Sequence, residues 1–237
     1  MQRKDRPRAG AFWSVASAVL LLVIAFIYVN NMSLMLRYGS WPAYFGNKHG
    51  LLLNLSDPTL FPRFFHFVIG ALAVASISWS AWAYFRELRS KGADEFAKKT
   101  GLKLFWIFTS VQMLDGLAWL GSLPKETKRL LMGGSAYATI LLCVGVLLAV
   151  GLLAHGIMGK FKVAAILLAP TLVVMALLRD LIRSSALSEV FSAGALKVEP
   201  RYGPLVLFLA ALALGLGVIA WMIKKGLGAG KAEGGSE

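Results

Sequence analysis

One cysteine, Cys143, and three histidines, His49, His66 and His155, are all the thiol and imidazole that 237 residues offer. A lone thiol excludes an intrachain disulfide, and the lack of any CxxCH excludes covalent haem attachment to this chain. Acid is scarce as well, with 12 Asp and Glu against 25 Lys and Arg, for a net charge of +13. At 57% hydrophobic residues and a mean hydropathy of +0.67 the chain is too apolar for an ordinary soluble domain. Its charges fall in short clusters between long uncharged runs, the pattern of a polytopic helical membrane protein. A positive excess in a soluble protein would suggest nucleic acid. Here the basic residues flank apolar runs, where they set topology and touch anionic lipid, so nucleic acid is not an expected partner.

The apolar runs predict an all-α bundle of six transmembrane helices over residues 11–31, 64–85, 104–123, 130–155, 163–178 and 204–223. The uncharged run 9–36 is too long for a signal-peptide core and has no convincing cleavage site, so it reads as a retained first span. The fifth run is short and spans if Lys162 and Arg179 snorkel, and Pro170 is expected to kink it. Three segments follow: a basic cytoplasmic N-terminus (1–10), the membrane domain (11–225) and a flexible cytoplasmic tail (226–237). Counting Lys and Arg by segment places both termini inside, because that choice puts the larger share of basic residues there. The stretch RDLIRSSALSEVF after the fifth span can lie as an amphipathic helix at the outer interface.

Ionisable residues in hydrocarbon are costly and usually face a functional interior. In DPTLFPRFFH, His66 lies three residues after Arg63 at the outer end of the second span; in KRLLMGG, Met132 lies three residues after Arg129 at the outer end of the fourth. Both helices start from the same side, so the two side chains are expected at similar depth. That arrangement suits one haem held between two helices with a His–Met axial pair, which raises the iron potential and favours electron transfer. Gly70, Ala73 and Ser76 follow His66 on its face, and Ala136, Thr139 and Cys143 follow Met132, leaving room for a macrocycle. Arg63 and Arg129 could pair with haem propionates. Each feature also has a plainer reading: small-residue stripes pack helices, methionine fills gaps and flanking arginine sets topology.

Asp115 is the sole carboxylate well inside a span, with Gln112 and Trp119 on its face. A proton path or ion site is one reading; a protonated or paired buried acid is the other. His155 lies about 23 residues beyond Met132, roughly 35 Å along a helix at about 1.5 Å per residue, and so cannot share a haem with His66. It reads as an interfacial cap, and His49 as a solvated loop residue.

These motifs resemble subunit I of the cytochrome bd quinol oxidases. That family's fifth helix follows a segment of the form NP-x4-KF-x-H, whose histidine ligates the low-spin haem b, and DPTLFPRFFH repeats the form through Asp57, Pro58, Arg63, Phe64 and His66. The helix exit WSAWAYFRELRSKG is similar to the family's aromatic, basic exit. VNNM is loosely similar to the exit from its fourth helix. RLLMGG resembles the family's FR-x-MVG motif, with the arginine one residue further away. The resemblance implies that the six spans correspond to helices four to nine, with His66 and Met132 as axial ligands of one haem b. Nothing matches the family's first three helices or its acidic ligand, and the quinol loop is reduced to GSLPKETKR. The chain is therefore expected to be a cytochrome b-like electron-relay subunit of a bd-type or related respiratory complex in a bacterial inner membrane. It would be at most an electron-transfer subunit, with a bd-type subunit or an outer-face cytochrome c as partner, and quinone as a further candidate. The competing expectations are a haem-free structural or assembly subunit and a small transporter using Asp115; the lack of an internal repeat counts against the latter.

Overall fold

A computed structural model of the chain describes residues 6–47, 49, 52–89, 94–197 and 202–229. Eight α-helices follow one another, with no strand among the described residues: α1 Arg6–Met35, α2 Trp41–Gly46, α3 Leu60–Arg89, α4 Glu95–Ser122, α5 Lys125–Arg129, α6 Ala136–Ile157, α7 Phe161–Leu187 and α8 Tyr202–Ala229. Six of them are long and apolar enough to cross a membrane: α1, α3, α4, α6, α7 and α8. The protein is thus a multi-pass, all-α membrane protein, as its apolar runs predict. Helix α1 begins inside the predicted basic terminus and α8 reaches into the predicted tail; residues 1–5 and 230–237 lie outside the described residues.

The chain divides into two compact units, Met1–Ile77 with Leu102–Ser192, and Ser78–Gly101 with Ala193–Glu237. In the second unit, Lys98 of α4 pairs with Glu87 of α3 and with Glu95 of its own helix. The Ser80 hydroxyl donates to the Lys98 carbonyl at 2.9 Å. Every described side chain of α8 up to Lys225 is exposed, which suits a helix solvated by lipid tails.

The first unit carries the site. Its α3 starts where it does because of Asp57. One Asp57 oxygen accepts from the Thr59 amide at 2.9 Å and the Thr59 hydroxyl at 2.8 Å, and the other accepts from Asn54 at 3.1 Å. That turn is tied to the end of α1: the Asn54 amide donates to the Asn30 side chain at 2.7 Å, and Asn30 donates to the Leu52 carbonyl at 2.9 Å. Arg37 adds an ion pair to Asp57 at 3.5 Å. The VNN and DP motifs are therefore two halves of one buried polar joint, which satisfies backbone groups that hydrocarbon cannot. Pro62 falls in the first turn of α3, where a missing amide costs nothing.

Helices α6 and α7 pack through glycines. A Cβ at Gly145 would meet Val174 at 3.2 Å, and one at Gly151 would meet Leu167 at 3.4 Å. The turn between them closes on Gly159, whose φ of +73° is a left-handed cap; the Lys160 amide reaches back to the His155 carbonyl at 2.9 Å. Helix α7 passes through Pro170 without a break and continues to Leu187. The stretch expected to lie as an amphipathic helix at the interface is helical as far as Leu187 and continuous with α7. Just beyond, Glu189 accepts a 2.6 Å hydrogen bond from the Tyr38 hydroxyl, and this carboxylate raises the Tyr38 pKa. The neutral phenol holds the contact below the ordinary tyrosine range, and the contact is lost as pH rises through the raised value.

Candidate functional site

His66 lies two turns into α3, and Asp115 lies two turns before the end of α4. The helices are antiparallel, so both side chains reach the same depth. The His66 Nδ1 and an Asp115 carboxylate oxygen are 3.1 Å apart, with the two side chains 27% and 13% exposed. With Asp115 ionised, its carboxylate only accepts and Nδ1 carries the hydrogen. Nε2 makes no hydrogen bond among the described residues. The Trp119 ring stacks on the imidazole at 6.3 Å and 28°, one helical turn beyond Asp115. Gly116 lies beside the ring; a Cβ there would make an ordinary 3.5 Å contact with His66 Cε1.

The imidazole walls a partly open cavity of about 390 Å³ lined by α3, α4, α6 and α7. Its lining is almost wholly apolar: Ala73, Phe105, Leu142, Ala149, Leu168 and Met175 are representative. Gln112 also faces it. The Gln112 Oε1 and the Trp119 Nε1 are buried there without a hydrogen-bond partner. Unpaired buried polar atoms are costly and call for a ligand or water. A second, smaller cleft of about 120 Å³ shares His66, Trp119, Met175 and Ile182 as walls. It is lined in addition by Arg63, Arg179 and Arg183, with no acidic side chain among its described lining residues.

The structure brings His66, Asp115, Gln112 and Arg63 together. It does not place Met132 or Arg129 on either cavity. Met132 is 65% exposed and sits in a break between α5 and α6, at φ −110° and ψ 45°, followed by Gly133 at φ +112°. RLLMGG thus builds a one-turn π-type kink: the Ser135 amide reaches the Leu130 carbonyl at 3.1 Å, and Ser135 then caps α6. His155 bonds its own helix, Nδ1 to the Gly151 carbonyl at 2.8 Å, and the exposed His49 is tied by its amide to Asn47 at 3.1 Å.

The pairing of His66 with Asp115 had a signal in the sequence, their equal depth from facing helix ends, but single-helix readings kept the two apart. Among the described residues no cluster of three or more His, Cys, Asp or Glu forms a metal site; a haem iron needs one or two axial donors. His66 meets the demand on such a donor. A metal-ligating histidine gives its other N–H to a carboxylate, which fixes the tautomer and leaves the second nitrogen basic. An apolar cavity of this size beside it falls in the range of cofactor sites. The residues present fit a haem b. No family model matches this chain, and no curated protein or solved structure matches it either.

Proposed function

We propose that the chain is a cytochrome b-like membrane subunit related to subunit I of the bd quinol oxidases, holding one low-spin haem b and relaying electrons within a bacterial respiratory complex. The observation that carries this reading is the His66–Asp115 pair, with Nε2 left free at the wall of an apolar cavity. A haem b held there would supply one-electron transfer. His66 would hold the group through Nε2, and Asp115 would keep the proton on Nδ1. The cavity walls from α6 and α7 would offer the group an apolar surface, and the arginines of the smaller cleft would receive its carboxylates.

With the predicted orientation, the site lies near the outer face, within reach of an outer-face cytochrome c or a bd-type partner subunit. Quinone is a further candidate for exchange of electrons. The engaged state of Asp115 supports its role as the carboxylate of a histidine more than that of an open ion or proton site.

The deciding experiment is a dithionite-reduced minus oxidised spectrum of the purified, haem-supplied chain, run beside His66→Ala. The expected result is a low-spin b-type band in the wild type that is lost in the variant. A folded but colourless wild type would overturn the proposal and leave the haem-free structural subunit.

A further inference from the structure

Building on the proposed haem site, we infer that Met175 is the second axial ligand, opposite His66, and that the carboxylate end of the group lies in the cleft of Arg63, Arg179 and Arg183. Met113, Met175, Met32 and Met35 each line one or both of the two cavities walled by His66, and Met175 is the one that lines both. It is half-buried on α7, where Leu172 and Leu168, also lining the larger cavity, lie along the same face. The register supports the pairing. His66 is three residues inward from Arg63, and Met175 is four residues inward from Arg179 on a helix of opposite direction. At about 1.5 Å per residue those steps are roughly 4.5 and 6 Å, so both donors sit at nearly one depth.

The charges agree with the register. Three guanidinium-bearing residues line the smaller cleft, without an acid among its described lining residues, at the end of an otherwise apolar cavity. Within the site, an Arg179 Nη donates to the Met32 sulfur at 3.5 Å, a weak acceptor for a cation. An amphipathic ligand with an apolar body and carboxylates at one edge matches this gradient, and bidentate arginine–carboxylate pairs are strong.

The test uses the full chain in detergent, loaded with haem. The readouts are the near-infrared methionine-to-ferric-haem charge-transfer band and the midpoint potential. The expected result is that Met175→Leu loses the band and titrates at a lower potential, because an axial methionine raises it. Met132→Leu should keep both. If Met175→Leu accumulates poorly, Met175→His retains a donor and should show a bis-imidazole spectrum. A band that survives in Met175→Leu or Met175→His, or is lost in Met132→Leu, overturns the assignment of Met175 with the haem reading intact. So does a haem-loaded wild type with no methionine band. A wild type that takes up no haem overturns the proposed function, and this inference falls with it.

Discussion

At the scale of single residues, the site turns on a proton. An imidazole alone in hydrocarbon can present either nitrogen, whereas one that donates to a carboxylate 3.1 Å away presents only Nε2. Asp115 therefore acts through His66 and touches no ligand itself. Asp115→Asn is expected to keep the fold, since asparagine can still accept from Nδ1, but to remove the negative charge that faces the imidazole. Loss of such a partner weakens metal binding by about 10–100-fold. Haem titration into the purified variant measures this directly. An unchanged affinity would mean that Asp115 serves only to bridge α3 and α4. His66→Ala, in contrast, removes the donor and should leave no low-spin spectrum at all.

At the scale of elements, two motifs that look like ligand signatures are also joints. The DP segment caps α3 through Asp57 and ties it to Asn30 of α1. The MGG segment breaks the chain between α5 and α6. Its glycines are there for steric reasons: Gly133 holds φ +112°, and a Cβ on Gly134 would come within 2.6 Å of the Arg129 carbonyl. Gly133→Ala and Gly134→Ala should each destabilise the protein by about 1–2 kcal/mol. Gly121→Ala in α4, where a Cβ meets open space, should be neutral or stabilising. Thermal unfolding in detergent, followed by helical circular dichroism, separates the two cases. The six spans were legible because apolar length is a strong, local signal. The break at Met132 was less so, because periodicity within a helix says nothing of a π-type turn that two glycines permit. The continuation of α7 to Leu187 was hidden by Arg179 and Arg183, whose charges mark the end of a hydropathic run although the backbone continues. His66 was legible as an isolated cost in hydrocarbon; its partner Asp115 required two helices to be read together.

At the scale of the whole molecule, the side of the membrane that the arginine end of α3 faces decides which partner the site can reach. Basic residues favour the side bearing Lys160 as the cytoplasmic one. The lone thiol makes this testable, because Cys143 lies in α6 within a span and can be replaced by serine to give a cysteine-free background. His49 and Lys160 are both exposed, on connections at opposite ends of the spans. In that background, His49→Cys should react with a membrane-impermeant maleimide in spheroplasts. Lys160→Cys should react only in inverted vesicles or after permeabilisation. That pattern puts His66, two turns from the Arg63 end of α3, near the outer face, and makes an external electron carrier the partner to seek. The reverse pattern would move the same site to the inner face without altering its chemistry. A cytoplasmic or membrane-embedded redox partner would then replace the outer-face cytochrome c.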